Sequence, residues 1–177
     1  MNLQHLYSSP QVTVYFDSWN NWLYLDWAGE LTLVSVQQAC LEIAGCYLAN
    51  AYPRVLNNNT RVTSIGWDVP AWLANNFFPY ISLAGVTQMA WVTSPQLRGR
   101  DVAMESLSRM PHLSIALFDD VEQAVTWLQH TRPAHSSGIE LLPRPLAPGT
   151  TLAGAVHAFT RHLAKSGAVQ PQEASSS

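Results

Sequence analysis

The sequence is poor in charge and in cysteine. Only 12% of its 177 residues are Asp, Glu, Lys or Arg, and the formal net charge is −3. Nine basic residues against twelve acidic ones give no positive surface of the kind that binds a phosphate backbone, which argues against a nucleic-acid-binding protein. Two cysteines are too few for a disulfide scaffold or for a Cys-rich metal site.

Apolar and aromatic residues are abundant instead. The chain is 47% hydrophobic and 10% aromatic, with seven tryptophans, and its length suits one domain with one core. Residues 1–130 have a net charge of −5, whereas residues 131–177 have +2 and are rich in Pro and Ser. We therefore predict a compact domain over 1–130 and a tail over 131–177. A short amphipathic helix is predicted over 152–165 of the tail, and its apolar stripe would dock on the domain or on a second subunit. The stripe is Leu152, Val156, Phe159 and Leu163.

Neither a targeting signal nor a membrane span is predicted. The first residues, Met1 to His5, lack both a basic region and a continuous apolar region. The segment 69–97 has no charged residue, but three prolines and several polar residues interrupt it. We expect a cytoplasmic protein.

Hydrophobic periodicity predicts an α/β fold with a mixed sheet of about five strands and four main helices. Asn20 and Asn21 favour a hairpin turn between the first two strands, and Gly29 is expected to end the second strand. A polar loop is expected over 58–66, and Asp68 and Asp120 are expected to cap helices. Strands are predicted over 12–16, 22–27, 54–57, 86–93 and 113–118, and helices over 36–51, 68–83, 97–110 and 121–129.

No motif for catalysis, metal binding or cofactor binding is present. The six histidines form no His-x-x-x-His pair, and no nucleophile elbow, Walker loop or dinucleotide fingerprint occurs. Cys40 and Cys46 lie on different faces of one predicted helix, and Cys40 falls on its apolar stripe as a small core residue. The sequence predicts no enzyme, no metal and no cofactor.

One segment stands out as a candidate site for a ligand or a protein partner. A run of polar residues follows a predicted strand and precedes a helix, where open α/β sheets place ligands; an Asn-rich turn is the simpler interpretation. Trp19, Trp22 and Trp67 fall in or beside turns, so they fit either packing or an aromatic binding surface. The predicted binding residues are Asn57, Asn58, Asn59, Thr60, Ser64 and Trp67.

Several short motifs resemble the STAS-like, SpoIIAA-like domain family of small bacterial proteins, which are more distantly similar to CRAL-TRIO domains. The resemblance spans about residues 11–130 and leaves the tail uncovered. It rests on Trp-Ala-Gly-Glu-Leu-Thr (27–32), Arg-Val-Leu-Asn-Asn-Asn (54–59), Asp-x-x-x-Trp-Leu-Ala (68–74), Phe-Phe-Pro (77–79) and Ala-Val-x-Trp-Leu (124–128).

The resemblance implies a non-enzymatic regulatory or protein-interaction module. STAS domains have a phosphorylatable hydroxyl between the strand that follows the first helix and the next helix, and this position corresponds to Thr60, Thr63 or Ser64. The junction reads Asn-Asn-Asn-Thr where anti-anti-sigma factors have Asp-Ser. The alternative is a small carrier of a lipid-like or apolar ligand with Trp and Phe walls. The expected partner of the chain is another protein or a small apolar molecule, and a homodimer is one possible assembly.

Overall fold

A computed structural model describes residues 1–97 and 113–131, together with Gly154, His157, Phe159, Thr160 and Arg161 of the tail. In this part of the chain, six strands form one sheet in the sequential order β1 to β6. Strands β1, β2 and β3 are antiparallel, and β3 to β6 run parallel. Their bounds are Leu3–Ser8, Val12–Asp17, Trp22–Leu31, Arg54–Ile65, Gln88–Val92 and Ser114–Phe118.

The helices cover the two faces of the sheet unequally. Helix α1 (Leu33–Ala49) and the helical segment formed by α2 (Val69–Trp72), a π-helical turn (Leu73–Phe77) and α3 (Phe78–Leu83) share the larger core with one face. Helix α4 (Val121–His130) packs on the other face, against β4, β5 and β6. We call these two faces the core face and the α4 face. Within the described ranges, none of the helices combines the length and the apolar character that crossing a bilayer requires.

The structure confirms the mixed α/β class, with six strands where about five were predicted. The additional strand is β1, an edge strand that pairs with β2 alone and whose residues are almost all exposed. Such a strand has no alternation of buried and exposed residues for a sequence pattern to detect. The helix predicted over 97–110 lies outside the described residues, apart from a 3₁₀ turn at Pro95–Leu97.

Two predicted boundaries are wrong. Gly29 does not end its strand: β3 continues to Leu31, and Gly29 (φ +75°) lies at an irregularity in the β3–β4 register. Glycine inside a strand is typical of such a bulge. The loop predicted over 58–66 is also wrong, because β4 runs to Ile65. Pairing with β3 on one side and β5 on the other overrides the turn preference of the asparagines.

The helical segment formed by α2, the π-helical turn and α3 continues through Pro79. A proline ring clashes with the carbonyl of the fourth preceding residue, and Pro79 has no backbone N–H to donate. The π-helical turn before α3 widens the ladder, and the Phe78 N–H donates to the Leu73 carbonyl five residues back. The π-helical turn thus accommodates Pro79 within one continuous helical segment. Asp68 stands at the N-cap of α2 without a side-chain capping bond, whereas Asp120 Oδ1 accepts from two backbone N–H groups of α4.

One aromatic ring of the tail is buried against the domain. Phe159 belongs to the main core, and its ring stacks on Tyr80 with centroids 5.1 Å apart. Phe77 and Trp72 complete the surroundings, each with its centroid 6.1 Å from that of Phe159. Leu152, Val156 and Leu163, the other members of the predicted stripe, lie outside the described residues.

Arg54, the first residue of β4, joins three distant parts of the chain. Its Nη1 donates to the Leu128 carbonyl near the end of α4 at 3.0 Å, and its Nη2 donates to the Asn20 carbonyl in the β2–β3 turn. The guanidinium also lies 5.5 Å from the centroid of the Trp22 ring. A cation near the C-terminus of a helix is favourable, so Arg54 stabilises α4 in its position.

We expect Arg54→Ala to lower the free energy of unfolding by about 2 kcal/mol, because two charge-assisted hydrogen bonds are lost at a partly buried site. Urea denaturation measures this loss. Arg61→Ala is the matched control: Arg61 is largely exposed and makes one ion pair with Asp26, so its removal should cost less than about 0.5 kcal/mol. Equal losses in the two variants would contradict the role of Arg54.

We expect Phe159→Ala to release the tail without unfolding the domain, because the described neighbours of Phe159 in the tail are exposed. Trypsin should cleave after Arg161 about tenfold faster, because the loss of one buried aromatic side chain raises the population of the released, cleavable form. Mass spectrometry of the fragments over time measures the rate. His157→Ala, at an exposed position of the same helix, is the control, and an unchanged rate in Phe159→Ala would refute the anchoring role.

Candidate functional site

The polar segment predicted as a loop forms the centre of the sheet. Asn57, Asn58 and Asn59 are all buried on β4. Because side chains alternate along a strand, Asn57 and Asn59 lie on the core face and Asn58 lies on the α4 face. A bulge follows, between the pairs Asp26–Asn58 and Ala28–Arg61, and leaves one extra residue in β4. Asn57 and Asn59 therefore have neighbours on the core face, whereas Asn58 has neighbours on the α4 face.

On the core face, the two asparagines are bonded to neighbouring strands. Trp27 Nε1 on β3 donates to Asn57 Oδ1 at 2.9 Å. Asn59 Nδ2 donates to the Val92 carbonyl at the end of β5 at 3.1 Å. No acceptor in the described part of the chain contacts Asn57 Nδ2. This leaves one buried amide donor unmatched.

A cavity of about 30 Å³ lies beside these two asparagines, between the sheet and the helices. Trp27 and Trp91 contribute walls from the sheet, Cys40 contributes from α1, and Phe77 contributes from the π-helical turn. Burial raises the pKa of the Cys40 thiol well above its ordinary value, so the thiol stays protonated and is a poor nucleophile. The wall of the cavity is therefore almost wholly apolar, and its thiol is unreactive.

On the α4 face, Asn58 is the centre of a polar network. Its Nδ2 donates to Tyr24 Oη at 3.0 Å and to Asp26 Oδ1 at 3.1 Å, and its Oδ1 accepts from the Thr60 N–H at 3.2 Å. Arg61 Nη2 forms an ion pair with Asp26 Oδ2 at 2.6 Å. Burial raises the pKa of Tyr24, and the hydrogen bond from Asn58 partly offsets that rise.

On the α4 face, helix α4 packs against β4, β5 and β6 and covers Trp22 at the start of β3. Strands β1, β2 and the rest of β3 form the other half of this face. Three rings form a row across these strands. Tyr15 stacks on Tyr24 with centroids 5.9 Å apart, and His5 meets Tyr15 edge-on at 5.8 Å. This surface and the Asn58 network are continuous with each other through Tyr24.

Trp67 lies at the carboxyl end of β4, in the turn before α2, and its side chain is 91% exposed. The turn is held by two backbone hydrogen bonds: the Gly66 N–H donates to the Leu31 carbonyl at 2.8 Å, and the Val69 N–H donates to the Gly66 carbonyl at 3.2 Å. A Cβ on Gly66 would lie 2.8 Å from Asp68 Oδ1, so a larger residue would displace the Asp68 side chain. The turn therefore presents the indole from a fixed backbone.

The predicted site residues consequently occupy three places. Asn57 and Asn59 are on the core face, Asn58 is on the α4 face, and Trp67 is at the sheet edge. Of the predicted phosphoacceptors, Thr63 is exposed, while Thr60 and Ser64 are partly buried. Sequence reasoning missed the partners of these residues, namely Tyr24, Asp26, Arg61 and Trp27. Alternation along β4 would have separated the asparagines if the segment had been recognised as a strand.

The described residues gather no set of three His, Cys, Asp or Glu side chains that would hold a metal ion. Asp17 and Asp120 are bonded within turns and caps. Burial alone would raise the pKa of Asp17, but hydrogen bonds from Asn20, Asn2 and Trp19 outweigh it and lower that pKa. These carboxylates have structural partners rather than an open catalytic setting.

No protein-family model matches the chain, and no curated protein matches it. Among solved structures, it is similar to an uncharacterised protein of the DUF3478 family with a SpoIIAA-like fold, from Shewanella loihica. The match has 14% sequence identity and a TM-score of 0.41, and it covers 71% of this chain and 91% of the other. That is the fold to which the sequence motifs pointed. The α/β class of this chain follows from its own strand order.

We expect Asn58→Ala to raise the pKa of Tyr24 further, because the amide N–H that donates to the phenol oxygen stabilises its ionised form. A pH titration of the Tyr24 ring carbon by ¹³C NMR measures the shift. Asn59→Ala is the control, since Asn59 lies on the opposite face. A fall in the Tyr24 pKa, or an equal rise in both variants, would contradict the network.

Proposed function

We propose that this protein is a non-enzymatic interaction module that binds a protein partner through the turn at Trp67. One observation supports this most directly: a tryptophan side chain is 91% exposed on a turn that backbone hydrogen bonds hold in place. Tryptophan is enriched among the residues that dominate binding energy at protein interfaces. An indole on an already ordered backbone also loses little conformational freedom on binding.

The hydroxyl groups near this turn support a regulated interaction. Thr60, Thr63 and Ser64 all stay candidate phosphoacceptors, and Thr63 comes first because its side chain is exposed at the end of β4. A phosphate there would add negative charge near the proposed contact and change its affinity. A cytoplasmic location and a homodimer also stay predictions.

Two further features favour a binding role over catalysis or transport. The thiol in the cavity, that of Cys40, is fully buried, and burial raises its pKa. The cavity of about 30 Å³ is far smaller than the roughly 300–1,000 Å³ of an ordinary ligand pocket, so it does not favour the carrier of a lipid-like molecule.

The test compares Trp67 with Trp19, which is 78% exposed in the β2–β3 turn at the other end of the strands. A photo-cross-linking amino acid placed at either position, in the full chain expressed in its own host, would trap a bound partner. We expect a discrete cross-linked species from position 67 and none from position 19.

The trapped partner, once purified, then allows affinities to be measured. Trp67→Ala should weaken binding by at least about tenfold, as interface tryptophans commonly do, and Trp19→Ala should leave the affinity unchanged. The proposal would be wrong if the two positions cross-linked the same species equally, if neither did, or if Trp67→Ala bound the partner as tightly as the wild type.

A further inference from the structure

Three aromatic side chains of the domain surround the buried ring of the tail. Trp72, Phe77 and Tyr80 belong to the helical segment formed by α2, the π-helical turn and α3. The Phe159 ring stacks on Tyr80 at 5.1 Å with an angle of 11° between the ring planes, and its centroid is 6.1 Å from those of Trp72 and Phe77. We call this arrangement the Phe159 pocket. Its three aromatic walls come from the domain, and the tail supplies the ring that fills it.

Among the described residues of the tail, one side chain is inserted into the domain. Phe159 is 7% exposed, whereas Gly154, His157, Thr160 and Arg161 are all exposed. The backbone of these five residues is helical. The tail therefore presents an aromatic ring from a helix, which is the way in which amphipathic helices bind a groove on another protein.

We propose that the Phe159 pocket is a docking site for a helix of a protein partner that presents an aromatic side chain, and that the tail occupies this site as an intramolecular competitor. The present occupant defines the chemistry of the ligand, because a flat apolar ring packs against all three walls. The proposal goes beyond the contact at Trp67 and does not depend on it, since the pocket and the turn use different residues.

The contact made by one ring is weak enough to be reversible. Burial of a single aromatic side chain favours the occupied pocket by about ten- to a hundredfold. The folding equilibrium of a small domain exceeds about a thousandfold. The ring can therefore leave the pocket while the domain stays folded, and the vacated walls would then expose aromatic surface to a partner.

A different protein competes for this pocket better than a second copy of the chain does. A second copy offers the same phenylalanine, whereas the resident ring acts at an effective concentration of the order of a millimolar, because it belongs to the same molecule as the pocket. A partner helix that makes further contacts beside its aromatic ring would overcome this advantage. Aromatic anchors in such pockets commonly dominate the binding energy of protein interfaces.

A synthetic peptide with the sequence of residues 152–165 tests the proposal, because it presents the same phenylalanine from a separate molecule. It is titrated into the ¹⁵N-labelled full chain, and the indole N–H of Trp72 is followed by NMR. We expect saturable shifts of this signal. The affinity should be at least about tenfold higher for Phe159→Ala than for the wild type, because the resident ring no longer competes.

Two controls separate recognition of the ring from non-specific binding. His157→Ala, at an exposed position of the same helix, should bind the peptide as weakly as the wild type. A peptide that carries Phe159→Ala should bind none of the chains, and the indole of Trp19, which is exposed in the β2–β3 turn, should not shift.

A second variant keeps the test decisive if Phe159→Ala does not fold. Phe159→Leu retains an apolar side chain in the pocket but loses the contacts between aromatic rings. It should bind the wild-type peptide at least about threefold more tightly than the wild-type chain does.

Four results would overturn the proposal. Equal peptide affinities in the wild type and the Phe159 variants would show that the tail does not compete. The absence of a saturable Trp72 shift in a folded variant would show that the pocket admits no helix from another molecule. Full binding of the peptide with Phe159→Ala would show that the ring is not recognised. A concentration-dependent dimer of the wild type that Phe159→Ala abolishes would identify a second copy as the partner.

Discussion

The hydrogen bond from Trp27 Nε1 to Asn57 Oδ1 belongs to a wider constraint on this fold: the central strand β4 buries three consecutive asparagines, and each side chain hydrogen-bonds different neighbours. Asn58 is matched by Tyr24 and Asp26 of β3, and Asn59 by the Val92 carbonyl of β5. A shift of β4 by one residue would exchange the faces of all three side chains and break these bonds together. These side-chain hydrogen bonds at the centre of the sheet therefore fix the register of the parallel strands.

The two ends of β4 make different contacts. At its start, Arg54 contacts α4 and the β2–β3 turn, so that end secures distant parts of the chain. At its far end, beyond the bulge and the exposed Thr63, the turn at Gly66 leaves Trp67 in solvent. Structural contacts thus concentrate at the amino end of the strand, and groups available to a partner concentrate at the carboxyl end. This polarity agrees with the general placement of binding sites in open α/β sheets.

Patterns of apolar residues predicted most of the fold. The β2–β3 hairpin was predicted from Asn20 and Asn21, and Asn21 does adopt a positive φ of 55°. Helix α1 and strands β5 and β6 were predicted because their buried residues recur with helical spacing or as short apolar runs. The central part of β4 escaped prediction because asparagine favours turns when judged locally. The partners of these asparagines, which are Trp27, Tyr24, Asp26 and the Val92 carbonyl, lie on other strands and are not visible in the local sequence.

The incorrect loop prediction over 58–66 also explains why the sequence grouped residues that the structure places on opposite faces of the sheet. A loop would have allowed Asn57, Asn58 and Thr60 to face one ligand, but a strand sends adjacent side chains to opposite faces of the sheet. No single partner can contact Asn57 and Asn58 together, since β4 itself lies between them. The tryptophans divide in the same way: Trp22 is fully buried beneath α4, whereas Trp19 and Trp67 are in solvent at opposite ends of the strands. A segment that reads as one polar site in the sequence therefore provides separate chemical environments: Asn57 and Asn59 on the core face, Asn58 on the α4 face, and Trp67 in solvent at the carboxyl end of β4.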